Sequence, residues 1–178
     1  INTVNIDKDI DKELPTELLK ERLMAMDAKS PFNIEYNQGL ENLIKSFLKY
    51  RKKAFASQMA VAQYYFPLFE EALAKLNVPL EVKYLAVVES ALNPKAVSRV
   101  GATGLWQFMY YTGKQYNLNI DSYVDERSDP LKSSVAAAQY MTNMYTIFND
   151  WDLVLASYNS GPGNVTKAIR RSGGLRNF

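Results

Sequence analysis

Tyr84-Leu-Ala-Val-Val-Glu-Ser-Ala-Leu-Asn93 is the stretch on which the fold turns. Glu89 is the one carboxylate in an otherwise apolar run, with only Ser90 polar beside it before Asn93. Leu85, Val88 and Leu92 recur at i, i+3 and i+7, which predicts one face of a buried helix. Asn93-Pro94 should stop that helix, because proline disfavours a helical residue before it and donates no hydrogen bond. Glu89 then falls in the last turn. Apolar surroundings and the negative end of the helix dipole both oppose its ionisation there. A carboxyl kept protonated near neutral pH is what a general acid requires. The plainer reading is a glutamate that reaches the surface at a helix end.

Outward from this run, helical patterns continue in both directions. On the N-terminal side, Ile1 to Glu13 is a polar, charge-mixed lead-in that predicts extended or poorly ordered chain. Leu14-Pro15-Thr16 opens a helix to about Ala28, ended by Ser30-Pro31. Gly39 to Arg51 is amphipathic, with Leu40, Ile44, Phe47 and Leu48 on one face. The basic run Tyr50-Arg51-Lys52-Lys53 reads as a solvated helix end rather than a binding patch. Phe55 to Leu76 is a long helical stretch that Pro67 should kink or split. Its aromatics Tyr64, Tyr65, Phe66 and Phe69 are core candidates, with some available to line a groove. Asn77-Val78-Pro79 is a turn into the Glu89 helix.

On the C-terminal side a loop from Asn93 to Thr103 precedes a helix expected from about Leu105 to Asn117. Asn119 to Ser128 is a polar loop. Asp129-Pro130 gives an N-cap followed by proline at the first helical position. The next helix should carry Leu131, Val135, Ala138, Met141, Tyr145 and Phe148 on one face, with Ala136-Ala137-Ala138 allowing close packing. Trp151 to Tyr158 is a shorter helix, Asn159 to Gly163 a sharp turn, and Asn164 to Arg171 a last amphipathic turn or two. No stretch alternates with period two between hairpin turns. The expected fold is all-α: a single compact helical unit, with residues 1–76 as lead-in and bracing helices and residues 77–178 as the core that carries the chemistry.

Composition narrows the chemistry. The 178 residues include no His and no Cys. No Ser-His-Asp triad, Cys-His pair, His-ligated zinc or disulfide is therefore available within the chain. Carboxylates, Tyr, Lys, Ser, Thr and backbone dipoles remain; no metal site and no cofactor is expected. A formal net charge of +2 is too mild to argue for nucleic acid. The apolar runs are too short to span a bilayer. The chain begins at Ile1 without Met or a signal peptide, which fits a trimmed sequence whose targeting information lies outside it.

Three separated patches stand out: Glu89-Ser90; Gly101-Ala-Thr-Gly-Leu-Trp-Gln-Phe-Met109; and Ala156-Ser-Tyr-Asn-Ser-Gly-Pro-Gly-Asn-Val165. In this order they resemble the lytic murein transglycosylases with a goose-lysozyme-like catalytic domain, whose Glu-Ser, Gly-x-x-Gly-Leu-x-Gln and Ala-x-Tyr-Asn-x-Gly signatures they match. Asp125-Glu-Arg-Ser-Asp-Pro130 is similar to the loop before the long helix in the membrane-bound D-type branch. The resemblance covers Leu76 to Phe178 well and the N-terminal helices more loosely. It departs where Tyr110-Tyr111 replaces a proline common in the family. The family also continues, beyond the point matching Phe178, into a segment with a Glu and a Tyr that complete the sugar site.

The resemblance implies a peptidoglycan lytic transglycosylase that cuts the β-1,4 bond from N-acetylmuramic acid to N-acetylglucosamine. Glu89 would be acid and then base, forming a 1,6-anhydromuramyl product without water. Ser98, Gln107, Met109, Tyr158 and Asn159 would contact substrate, and Ser90 would hold the loop or touch substrate. The partner implied is the glycan strand in the periplasmic cell envelope. The branch is compatible with an outer-membrane lipid anchor ahead of Ile1 and with LysM modules downstream. Taken for themselves, Gly101 and Gly104 serve either close approach to a ligand or positive φ. Gln107 offers an amide suited to sugar hydroxyl or N-acetyl groups. Trp106 reads as core rather than sugar platform, and Phe108 with Met109 as a soft apolar wall. Asn159 either caps its turn or works with Tyr158, whose hydroxyl would orient Glu89. Two rivals remain: a hydrolytic lysozyme of similar fold, using Asp121, Asp125 or Asp129 to hold a water, and a non-catalytic peptidoglycan-binding domain.

Overall fold

A computed structural model describes residues 14–176; the expected polar lead-in over 1–13 and the last two residues lie outside them. Eight α-helices run through the described residues: α1 Thr16–Asp27, α2 Gln38–Tyr50, α3 Lys52–Ala74, α4 Lys83–Ser90, α5 Tyr110–Gln115, α6 Pro130–Phe148, α7 Trp151–Ser160 and α8 Pro162–Arg171. Three isolated bridges, Val97 with Thr103, Thr103 with Phe108 and Ile120 with Asp125, are the only β pairing among them. The chain is all-α, as the patterning predicts. Among the described residues no helix is long and apolar enough to cross a membrane.

Helix ends follow local chemistry. Asn37, Asp129 and Asp150 cap α2, α6 and α7, each accepting from backbone amides of the first turn. Gly161, at φ 86°, makes the whole turn between α7 and α8, so the expected five-residue turn shrinks to a single junction residue. Pro67 lies inside α3 without splitting it. The basic run sits at the exposed junction of α2 and α3, where the Arg51 guanidinium lies 5.2 Å from the Phe47 ring centre.

The core is built around α3 and α6, which share the most extensive helix contact. Phe69 and Leu73 of α3 meet Ala136, Ala137, Ala138 and Met141 of α6, and small side chains on α6 let the two backbones approach. Trp106 is fully buried against Phe69, ring centres 5.0 Å apart, and its indole N–H donates to Ser134 Oγ at 3.0 Å. It is core, as expected. Of the α3 aromatics only Phe69 is fully buried, while Tyr64 points to solvent and Tyr65 and Phe66 pack at the margin.

Several expectations need correction. Val88 is 80% exposed and Leu85 half-buried; α4 buries Ala86, with Val82 of the preceding 3-10 turn and Leu92 just after the helix buried on either side. The expected face of α6 holds at Ala138, Met141, Tyr145 and Phe148 but fails in its first turns: Leu131 and Val135 are exposed, whereas Ser133 and Ser134 are buried with their hydroxyls bonded to Asp129 O and Pro130 O one turn back. No helix runs from Leu105 to Asn117. Gly104 to Gln107 form a turn, Phe108 bridges back to Thr103, and helix begins only at Tyr110.

Asn93-Pro94 does not end α4. The helix stops at Ser90, and Ala91 and Leu92 both take left-handed backbone at φ 50° and 62°. Among the described residues six that are not glycine have positive φ. Asn77, Asn117 and Asn149 are of the type that tolerates it; Ala91, Leu92 and Gln107 are not. All three of the ill-suited ones lie in the signature patches or directly after them.

Candidate functional site

Glu89 is half-buried in the last turn of α4, and no backbone or side-chain donor among the described residues bonds its carboxyl. Burial is the one cause that acts on it, and it raises the pKa above the ordinary 4.5. The neighbour that senses it is Tyr158, whose hydroxyl is pushed well up, first by burial and then by the charges of Glu89 and Tyr140. Tyr158 as a residue is half-buried, but its hydroxyl is enclosed and donates to the carbonyl of Trp106. The sequence reading had this hydroxyl orienting Glu89. The hydrogen bond goes to the loop backbone instead, and Glu89 feels the tyrosine only through space.

Ser90 fastens α4 to the loop: its hydroxyl reaches both Ala86 O and Leu105 O at 2.9 Å, sharing one proton between two acceptors. Ser98 closes a tight turn, its amide donating to Ala102 O and its Oγ accepting from Ala102 N. Gln107 spends its amide hydrogens on Ala96 O and Gly104 O, at 3.2 and 2.9 Å. All three therefore shape the loop, and Gln107 still borders the cleft described next.

A cleft of about 380 Å³ runs between this loop and the α7–α8 junction. Gln107, Phe108 and Met109 form one wall; Tyr158, Asn159 and Gly161 form the other; Tyr116 and Tyr140 make its buried floor. Gln107, Met109, Tyr158 and Asn159 thus meet in one place. Ser90, Ser98 and Glu89 lie outside the lining, and Glu89 is linked to the cleft through its charge on Tyr158. Asn159 is exposed in the last turn of α7 and does not cap the turn; Asn164 does that, donating to Ser160 O at 2.7 Å.

Arg127 was not anticipated. It is buried, pairs with Asp125 through Nε and Nη2, and donates from Nη1 to Gly101 O at 2.9 Å and Phe108 O at 3.1 Å. It clamps both ends of the signature loop. A Cβ on Gly104 would stand 1.8 Å from Arg127 O, so Gly104 is demanded by this protein contact as well as by its φ of 86°. Gly101 has open space about it and needs glycine for φ 84° alone. In sequence Arg127 sits in a charged loop that the resemblance singles out, but its charged neighbours give no sign that its side chain is buried.

The candidate water-holding carboxylates are engaged elsewhere. Asp121 accepts from Tyr123 and Val124 amides, Asp125 pairs with Arg127, and Asp129 caps α6. These hydrogen bonds hold Asp121 and Asp125 below the usual carboxylate range. Among the described residues no group of three acidic side chains could hold a metal ion.

Comparison with known proteins adds an independent line. Residues 67–177 match the family described as Transglycosylase SLT domain. The chain is 42% identical over 97 residues to membrane-bound lytic murein transglycosylase D of Escherichia coli (strain K12), covering 54% of this chain and 22% of that protein. It is 35% identical over 95 residues to soluble lytic murein transglycosylase of the same strain, covering 51% and 15%. To membrane-bound lytic murein transglycosylase F of Maricaulis maris (strain MCS10) it is 33% identical over 114 residues, covering 58% and 23%. The chain spans less than a quarter of the length of each of these relatives.

Proposed function

Because the chain belongs to the Transglycosylase SLT domain family, we propose that it is a lytic transglycosylase that cleaves the glycan strands of peptidoglycan in the cell envelope. The observation that carries the reading is Glu89: a half-buried carboxyl, raised in pKa by burial and held by no partner, beside a cleft of saccharide size.

Glu89 in its protonated form donates to the oxygen between N-acetylmuramic acid and N-acetylglucosamine as that bond breaks. Positive charge then develops at C1 of the muramyl ring, as in other glycoside cleavage. The substrate's own N-acetyl oxygen stabilises it, which removes the need for a second protein carboxylate. Glu89, now ionised, takes the proton of the muramyl C6 hydroxyl, whose oxygen attacks C1 and closes the 1,6-anhydro ring. Protons balance across the cycle: one leaves Glu89 for the departing sugar, and one returns from C6. Gln107, Met109, Tyr158 and Asn159 contact the sugars, while Ser90 and Ser98 hold the loop that presents them.

The competing hydrolytic route would need a carboxylate to position water. The ties that occupy Asp121, Asp125 and Asp129 favour the anhydro route over it. Mass spectrometry of digested sacculi separates the two, since an anhydro product is lighter by one water than its hydrolysed counterpart. The expected result is anhydro-muropeptides from the wild type and loss of most turnover in Glu89→Gln with the fold retained. Wild-type turnover in that variant overturns the role of Glu89, and release of hydrated ends overturns the anhydro route.

A further inference from the structure

The bracing helices leave one corner of the molecule uncovered. Among the described residues α2 puts no side chain into the main hydrophobic core, and Met59 is the first residue of α3 that packs against it. At a rise of about 1.5 Å per residue, the start of α3 at Lys52 stands roughly 10 Å along the helix from that contact. No residue of α2 lines the cleft.

Two features coincide at this corner. The first is an apolar stripe. Leu40, Ile44 and Leu48 are half-buried, but Leu43, Phe47 and Tyr50, at i, i+4 and i+7, are 56%, 38% and 72% exposed. Phe55 in the first turn of α3 is exposed as well. The second is charge. Lys45, Lys49, Arg51, Lys52 and Lys53 fall within nine residues, and no Asp or Glu occurs between Asn42 and Phe69, whereas the whole chain has a formal net charge of only +2. Lys45 is held by Glu41, while Lys49, Arg51 and Lys53 are exposed. Stripe and charge meet directly: Lys49 Nζ lies 5.1 Å from the Tyr50 ring centre, and the Arg51 guanidinium 5.2 Å from that of Phe47. Each of these exposed rings carries a cation at its face.

The basic run alone would be an ordinary wet helix end. The stripe beside it narrows what can cover the corner. A hydrated anionic polymer answers the cations and leaves Leu43, Phe47 and Tyr50 in water. A second copy of the same face answers the rings and sets like charges against each other. An anionic bilayer answers both, because phosphates meet the cations in the headgroup layer while the rings and Leu43 reach the acyl boundary behind it. We propose that the corner formed by α2 and the start of α3 rests on the surface of an anionic lipid bilayer, with Leu43, Phe47 and Tyr50 entering the interface and Lys49, Arg51 and Lys53 meeting lipid phosphates. This is a contact of the folded surface, since among the described residues no helix is long and apolar enough to cross a membrane. It leaves the cleft open, as α2 takes no part in the lining.

The test is co-sedimentation of the protein with vesicles of phosphatidylethanolamine and phosphatidylglycerol, against vesicles of phosphatidylcholine alone. Binding is expected to the first and not to the second, and should weaken as salt is added. Lys49→Glu, Arg51→Glu and Lys53→Glu together should weaken it at least about tenfold, since each cation near such a surface adds to the attraction. Lys167→Glu, Arg170→Glu and Arg171→Glu reverse three exposed cations of α8, change the net charge equally, and should leave most of the binding. Tyr50→Trp, with the cations intact, should shift its emission to the blue when anionic vesicles are added, read as the difference from the parent with its Trp106 and Trp151. Equal loss from the two triple variants shows attraction to net charge alone and overturns the proposal. So does an unshifted emission from Tyr50→Trp, or no binding to the anionic vesicles. If the α2–α3 triple variant weakens sedimentation with purified sacculi and not with vesicles, the partner is a carboxylate-bearing polymer and the bilayer contact falls.

Discussion

Half-burial raises the pKa of Glu89 above its ordinary value, and no donor among the described residues bonds its ionised form. Its folded pKa lies above the unfolded value, so the native state binds the proton more tightly. That contribution to stability is complete below the unfolded pKa of about 4.5 and is lost as pH rises through the folded value. Glu89→Gln, which cannot ionise, is expected to melt at or above the wild-type temperature at pH 7 to 8. The gap should close below pH 4.5, as thermal melts against pH would show. The same residue was legible in the sequence because a lone acid in an apolar run has few bland explanations. Arg127 was illegible for the opposite reason. Its acceptors lie 26 and 19 residues away, and its neighbours are charged.

Among the elements, α1 and α2 are joined by a side-chain knot centred on Glu41, which is 2% exposed. Thr16 Oγ1, Tyr36 Oη and Lys45 Nζ all donate to its carboxylate. These bonds, that from Lys45 first, hold its pKa down at about 2. Here the sign reverses: the stabilisation is present above the unfolded value near 4.5 and is lost as pH falls from there towards 2. Glu41→Gln should lower the melting temperature at pH 7 and flatten the acid limb between those values. The helices α1 and α2 were legible, the first from its proline-marked start and the second from its amphipathic spacing. The stretch from Leu105 to Met109 was misread as helix because its apolar spacing is helical. Its shape is set by Arg127, by Tyr158 and by Thr103, which bridges to both Val97 and Phe108.

Over the whole molecule, one seam decides whether the site is assembled. α3 presses on the small side chains of α6, Trp106 is wedged between α3 and Ser134, and the loop carrying Trp106 reaches Glu89 through Ser90 and Tyr158 through its backbone. Ala137 is fully buried in that seam. Ala137→Leu adds volume where there is none to receive it and should cost about 1–3 kcal/mol in chemical denaturation. The all-α class and the order of helices came through from periodicity. The start of α6 did not, because Ser133 and Ser134 face inward there while Leu131 and Val135 look outward.

The left-handed pair Ala91 and Leu92 sets durability against speed in this fold. Such backbone costs an L-residue about 1 kcal/mol or more, and glycine nearly nothing. Ala91 is exposed, so Ala91→Gly removes no packing and is expected to make the protein harder to melt by up to about 1 kcal/mol. The released hinge would no longer dictate where the preceding glutamate aims, and the glycine variant should turn over more slowly than the parent it outlasts.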